Sequence, residues 1–331
     1  MYRKAVDKGS LCAVTELGQM YLNGIGVEKD IEKGWDLLLQ AAEKGDPDAL
    51  NTAAFRYMHS LDVEEDKAKA KEMWTKAADM GDAEAEFQLA ISAKLEGDIE
   101  KTHSLLESAA EKGHGYAIGV LGEWHIRGIC VKQNDEKGAE MCSIGARRGH
   151  VRSLVCLAEL HLRDSHGVDD NLKARNYLEI AAGKGNGNAL MHLGVMYLEG
   201  MDGIPIDHVK AVKYFREAAD IGKPSALVHL ASMHLKEQGG LTADQEMIRE
   251  LLLEAGRTGD PQGYYYLGCW QWRQGNVLGG QEIFKAALQG HTQAQIDLAE
   301  AYHNGSGMFP ADEAKSAFWQ AVVGDEEDVT S

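Results

Sequence analysis

The sequence predicts an all-α fold, a solenoid of about nine stacked helix-turn-helix hairpins. Three observations predict it. The first is the stretch Ala41-Ala42-Glu43-Lys44-Gly45, which has near copies at 77–81, 109–113, 181–185 and 218–222. Looser copies stand at 6–9, 146–149, 255–259, 286–290 and 321–324. The closing glycines, at 9, 45, 81, 113, 149, 185, 222, 259, 290 and 324, are separated by 36, 36, 32, 36, 36, 37, 37, 31 and 34 residues. Self-similarity at such a period marks a repeat array. The second is a stripe of small and leucine residues that recurs with a helical spacing after each glycine. The third is composition. Five prolines in 331 residues leave room for many helices, and 44% hydrophobic but only 7% aromatic residues imply a core of alanine and leucine.

The first helix of each unit, helix A, follows the glycine. Four residues after it stand Ala13, Ala49, Ala85, Ala117, Ser153, Ala189, Ala226, Gly263 and Ala294. Leucine dominates eight residues on, as at Leu17, Leu193 and Leu298, and glycine or alanine nine on, as at Gly18, Ala54 and Gly194. Twelve on stand Tyr21, Tyr57, Tyr197 and Tyr302, with His125, His161 and His234 in the same slot. These offsets share one helical face, and its small residues let a second helix approach closely. Asp46, Asp82, Asn186 and Asp260 are natural N-caps, and Pro47, Pro224 and Pro261 suit a first turn. Helix B ends at the Ala-Ala-x-x-Gly signature. Seven residues before the glycine stand Leu38, Trp74, Leu106, Cys142, Leu178, Phe215, Leu252, Ile283 and Ala317. The glycine fits a left-handed C-cap. The loops from A to B vary in length, and segments 82–113 and 260–290 lack the long one. Residues 1–9 read as the end of a preceding helix B whose partner is missing, 10–324 as the array, and 325–331 as an acidic tail. One array spanning the chain overrides the two globular domains that its length alone would suggest.

The net charge is −18. That opposes binding to nucleic-acid phosphates or to an anionic membrane surface. No stretch is long and apolar enough to span a bilayer, and no basic-then-apolar leader precedes the first hairpin. Cys12, Cys130, Cys142, Cys156 and Cys269 are scattered and odd in number, which reads as reduced thiols and favours the cytoplasm.

These residues resemble the Sel-1-like repeats, relatives of the tetratricopeptide repeats. Ala189, Leu193, Gly194, Tyr197 and Gly200, then Ala218-Ala219 and Gly222, follow the family pattern closely, as do Leu17-Gly18, Tyr21, Gly24, Gly26, Val27 and Asp30. The resemblance covers about residues 1–324. It implies a right-handed superhelix acting as a scaffold or adaptor, and no common catalytic site.

If that geometry holds, helix A lines a concave groove with the residues 3, 7, 10 and 14 after each glycine. Arg127, Arg152, Arg163, Tyr266 and Arg273 on that stripe are the candidates for binding a partner, with His192 and His229 beside them. Arginine pairs carboxylate or phosphate, so an acidic or phosphorylated protein or peptide would suit. The competing reading pairs these arginines with Glu123, Glu159 and Glu199 on the same stripe. Tyr264-Tyr265-Tyr266 spread over roughly 200° of a helix, so at least one is exposed or meets a neighbouring hairpin. Cys156, His192 and His229 are equivalent in three successive hairpins, but equivalent positions lie roughly 8–10 Å apart, too far to share a zinc ion. His125, His161 and His234 read as packed and hydrogen-bonded. No cofactor motif is present; the glycines at 24, 26, 305 and 307 are turn glycines, because no strand precedes them. The function expected is a non-catalytic protein-binding scaffold. A weak hydrolase in the groove and a structural or regulatory arm of a larger protein are the alternatives. Partner identity and oligomeric state are left open.

Overall fold

The computed structural model describes residues 10–163, 167–306 and 308–330, with side chains through 323. Residues 1–9, read above as the end of a helix, lie outside the described residues. Eighteen helices run through the described chain. Its only other pairing is an isolated bridge between Met201 and Ile204. Contacts divide it into a first unit ending at Leu160 and a second beginning at His161.

In the first unit four hairpins follow one another. They are α1 (Leu11–Asn23) with α2 (Ile31–Glu43), and α3 (Pro47–Met58) with α4 (Lys67–Asp79). Next come α5 (Ala83–Leu95) with α6 (Ile99–Glu111), and α7 (Gly115–Arg127) with α8 (Asp135–Arg147). Helix α9 (Val151–Arg163) runs across the division. The second unit holds α10 (Val168–Gly183), then α11 (Gly187–Glu199) with α12 (His208–Asp220) and α13 (Pro224–Leu235) with α14 (Gln245–Arg257). It continues with α15 (Pro261–Arg273) and α16 (Gly279–Leu288), then α17 (Thr292–Asn304) and α18 (Glu313–Thr330).

The repeated signature is a helix-ending device. Gly45 has φ 81°, its N–H donates to the Ala42 carbonyl at 3.0 Å, and the Asp46 N–H donates to Ala41 at 3.1 Å. That is the Schellman pattern, which satisfies the orphan carbonyls of the last turn. It recurs at Gly81, Gly113, Gly149, Gly185, Gly222 and Gly290. Asp46 then serves twice, because its carboxylate also accepts from the Asp48 N–H and caps α3. Asp82, Asn186 and Asp260 cap in the same way, and Pro47, Pro224 and Pro261 open their helices as expected. Histidine takes the cap role at two junctions the sequence left unassigned. The Nδ1 of His114 accepts from Ala117 and that of His291 from Ala294.

The small residues of the stripe make the core. Ala49, Ala53, Ala117, Ala189, Ala226 and Ala294 are fully buried. Against them pack Leu38, Trp74, Leu106, Cys142, Leu178 and Phe215 of helix B, each no more than 2% exposed. Burying a side chain of leucine or phenylalanine size stabilises by about 1.5–3 kcal/mol. Close approach is visible at Gly18, where an added Cβ would stand 3.0 Å from the Gly34 carbonyl.

The A-to-B loops after Tyr21, Tyr57, His125, Tyr197 and Tyr302 are pinned at their far ends. The Asp30 N–H donates to the Tyr21 carbonyl at 2.9 Å, and its carboxylate accepts from the Lys33 N–H at 3.0 Å, capping α2. The Lys33 ammonium then sits 4.5 Å from the centre of the Tyr21 ring. Lys69 over Tyr57, Lys210 over Tyr197 and Lys315 over Tyr302 repeat the arrangement. The Asp-x-x-Lys spacing thus joins a cap to a cation–π contact. Where histidine replaces tyrosine the contact differs: His161 bonds to Asp170 in the first turn of α10 at 3.2 Å, His234 to the Thr242 carbonyl of the loop at 2.8 Å, and the buried Nδ1 of His125 finds no hydrogen-bond partner among the described residues.

The last hairpin departs from the expectation. Helix α18 does not close at Gly324 but runs to Thr330. Ala317, expected in the core, is exposed, while Ser316 is buried and donates to the Ala299 carbonyl at 2.9 Å. The reason is the cap. Asp312 accepts from the Lys315 N–H, and counting from it sets Ser316 in the small-residue slot that Gly34 fills four residues after Asp30.

Candidate interaction surface

On helix A the stripe facing away from the core is recessed in the middle and open at its ends. Tyr116 and Arg127 of α7 are exposed, Val120 half-buried and Glu123 only 5% exposed. On α9, Arg152 is exposed, but Cys156, expected on the open stripe, is buried. Glycine at 119 and 145 brings α7 and α8 together here, since a Cβ on Gly145 would stand 2.5 Å from the Gly119 Cα.

In the first unit the two candidate arginines do not face solvent unpaired. Arg152 donates to Glu123 at 2.6 Å, and Arg127 donates to Glu159 at 3.1 Å and lies 3.5 Å from Glu123. Two cations and two carboxylates form a ladder across α7 and α9. Burial of the Glu123 carboxylate requires this pairing, because an unpaired buried charge is costly. The electropositive stripe expected from the sequence is neutral in this unit.

Beneath the ladder lies a pair that only folding brings together. The Nδ1 of His150 stands 2.8 Å from the Ser153 hydroxyl. Hydroxyl and imidazole at this distance are the raw material of a nucleophile and base. Ser153 has no exposed surface, and burial pushes His150 below the ordinary histidine range, so the pair is packed polar matter with no route for a substrate. The Cys156 thiol is held above its usual range by its hydrogen bond to Cys142 and by burial, far from a reactive thiolate.

In the second unit Arg163 is exposed at the end of α9, and His192 is half-buried on α11. His229 on α13 stacks flat on Phe215, with ring centres 4.6 Å apart at 3°, and burial pushes its imidazole down. It is a neutral packing group. The three tyrosines of α15 take three roles. Tyr264 is buried in the core, and Tyr265 donates to Asp297 at 3.1 Å and stacks on His291 at 4.4 Å. Tyr266 is 44% exposed. Arg273, two turns further along the same face, is exposed, with no ion pair among the described residues. No group of three histidine, cysteine or acidic side chains among the described residues could hold a metal ion. No described helix is long and apolar enough to cross a membrane.

The ladder was open to the sequence only as a possibility, because its partners are 29 and 32 residues apart. Its signal was the near-repeat spacing of Glu123 with Arg152 and Arg127 with Glu159. The role of Tyr265 had no signal, since Asp297 stands on the next helix A.

Comparison with known proteins agrees with this architecture. The family model described as the Sel1 repeat matches residues 13–46, 47–82, 83–114, 116–150, 157–186, 187–223 and 292–319. No curated protein matches. Among solved structures, the chain is similar to c5321, a protective antigen present in uropathogenic Escherichia coli strains that displays an SLR fold. The identity is 25% and the TM-score 0.68, over 97% of this chain and 70% of that one. A Sel1 repeat protein from Oxalobacter formigenes shares 23% identity with a TM-score of 0.53, over 98% of this chain and 85% of that one. A signal transduction ATPase with a tetratricopeptide repeat sensor from Pyrococcus horikoshii shares the fold at 14% identity and a TM-score of 0.57, over 96% of this chain and 52% of its own.

Proposed function

Because the chain belongs to the Sel1 repeat family, whose folds generally serve protein–protein interaction, we propose that it is a non-catalytic scaffold that binds a partner protein through the open stripe of helix A. The observation that carries this reading is on α15. Tyr266 is 44% exposed and Arg273 has no ion pair among the described residues. Exposed aromatic and arginine side chains are the residues in which interface energy concentrates. Arg273 would take an acidic or phosphorylated group of the partner in a bidentate pair, with Tyr266 supplying apolar contact. Arg127 and Arg152 are spent on Glu123 and Glu159, so they contribute shape more than charge. The non-catalytic part of the reading is supported by the sealed His150–Ser153 pair.

The test is affinity capture of the natural partner by the intact chain. Tyr266→Ala with Arg273→Glu should abolish capture while far-UV circular dichroism stays unchanged. Arg152→Glu with Arg163→Glu should weaken it less. Undiminished capture by the first variant would move the site off α15.

A further inference from the structure

Hairpins 1, 2 and 4, all in the first unit, leave helix A through the same backbone device. Gly24 and Gly26 have φ 70° and 71°, Ser60 and Asp62 54° and 61°, and Gly128 and Cys130 66° and 58°. Glycine takes this left-handed region freely and aspartate tolerates it, but Ser60 and Cys130 take it with a Cβ, against their preference. The residue between the two is a large aliphatic each time. Its N–H donates to the fifth residue back, Ile25 to Met20 at 3.1 Å, Leu61 to Arg56 at 3.0 Å and Ile129 to Trp124 at 3.0 Å. A helix ending of this kind often folds that side chain back onto the helix. Here Ile25 remains 63% exposed, Leu61 43% and Ile129 38%. Hairpin 3 lacks the loop, yet Leu95 at the end of α5 is 85% exposed. Four consecutive hairpins therefore hold an aliphatic side chain in solvent at the same end, three of them by a shared backbone conformation.

The charges beside them are mainly acidic, although Asp62, Glu65 and Glu96 are paired with basic side chains. Residues 24–30, 59–66, 95–98 and 128–134 contain eight carboxylates and two lysines. Glu28 and Glu64 stand three residues after Ile25 and Leu61, are exposed, and make no ion pair among the described residues. An apolar knob followed by an exposed carboxylate thus stands in hairpins 1 and 2, 36 residues apart, while hairpin 4 carries Lys132 at the equivalent place. Backbone conformations that side chains resist persist where the surrounding structure requires them, and they concentrate at binding sites.

We propose that this loop edge of the first unit is a docking site for a basic, amphipathic segment of a partner protein. Its apolar side chains would seat against Ile25, Leu61, Leu95 and Ile129, and its lysines or arginines would meet Glu28 and Glu64. A second copy of a chain of charge −18 is the wrong sign for this edge, as are nucleic acid and anionic lipid. Its residues are distinct from Tyr266 and Arg273, and the proposal stands independently of the reading given for them.

The experiment uses fluorescence anisotropy and the intact chain. The probe is a labelled leucine–lysine amphipathic peptide of about four helical turns. Comparison peptides carry serine for each leucine or glutamate for each lysine. The leucine–lysine peptide should bind, less tightly at higher salt, and both comparison peptides should bind at least tenfold more weakly. Ile25→Ser with Leu61→Ser, and separately Glu28→Lys with Glu64→Lys, should each lower its affinity at least tenfold. Tyr266→Ala with Arg273→Glu should leave it unchanged. Leu95→Ser is a second, single-site variant, expected to weaken binding without touching the strained loops. No binding of the leucine–lysine peptide, equal binding of the serine peptide, or parental affinity in the loop variants would overturn the proposal. So would a dimer in sedimentation that Ile25→Ser with Leu61→Ser dissolves, because the edge would then belong to a second copy.

Discussion

Gly194→Ala tests the packing of the second unit at its tightest described contact with an aromatic ring. In the middle of a helix this substitution normally gains about 1 kcal/mol, because alanine restricts the unfolded chain and favours the helix. Here the new Cβ would stand 2.5 Å from Cε1 and 2.8 Å from Cδ1 of Phe215. The ring has little room to retreat. Phe215 has no exposed surface, and the His229 imidazole lies flat near it at 4.6 Å. Overpacking of this kind costs about 1–3 kcal/mol. The net expectation is therefore a loss of up to about 2 kcal/mol, and Gly194→Leu should lose more. Gly183→Ala is the control, since nothing lies within 4 Å of a Cβ there and, at the last residue of α10, it should be neutral or mildly stabilising. Phe215→Leu removes the obstacle, so the pair Gly194→Ala with Phe215→Leu should fall short of additivity by about 1 kcal/mol. Urea unfolding followed by far-UV circular dichroism measures all five variants. The reasoning fails if Gly194→Ala proves as stable as Gly183→Ala.

Further outcomes follow from the same geometry. Gly81→Ala places a side chain at φ 91° with nothing within 4 Å, so its cost should be the conformational one alone, about 1–2 kcal/mol in urea unfolding. Burial pushes His150, His229 and His291 below the ordinary histidine range. Their contribution is then complete above about pH 6.5, the unfolded value, and is lost as pH falls through the depressed folded values; urea midpoints that do not drop between about pH 7 and pH 5 would contradict this. At His291 the Nδ1 that caps α17 is also the protonation site, so His291→Asn should keep the cap and flatten part of that pH dependence. Thr15, buried and donating to the Asp46 carboxylate, should on replacement by valine cost about 1–3 kcal/mol in thermal or urea melts.

Much of this fold was legible because each recurring residue has a separate physical duty. Gly45 needs φ 81°, Asp30 must accept from Lys33, and Ala49 must admit a neighbouring helix, so the same letters return at the same spacing. Legibility ended where a residue's duty depended on another hairpin. Glu123 reads as a surface acid until Arg152 is placed beside it. The last hairpin misled for a different reason. Ala321 and Gly324 imitate the closing signature, but Asp30, Asp66 and Asp98 each precede their closing glycine by fifteen residues, and fifteen from Asp312 is Glu327. That count was available in the sequence, and it outranks the local likeness. Histidine caps went unread because imidazole is not among the usual capping groups, although His114 and His291 occupy the position of Asp46.

The double duty of Asp46 has a consequence for how such a chain can change length. One residue ends the Schellman turn and caps the next helix, so the passage from helix B to helix A has no slack. An added or lost residue there would break both hydrogen-bond sets and rotate every later helix out of phase. The passage from A to B carries no such constraint, and the variation from 31 to 37 residues between the closing glycines from 45 to 290 is absorbed there. Insertions and deletions are therefore permitted on one edge of the array and forbidden on the other. New surface can be grown at the loops without disturbing the register of the helices, and whole hairpins can be duplicated or removed by cutting at the glycine.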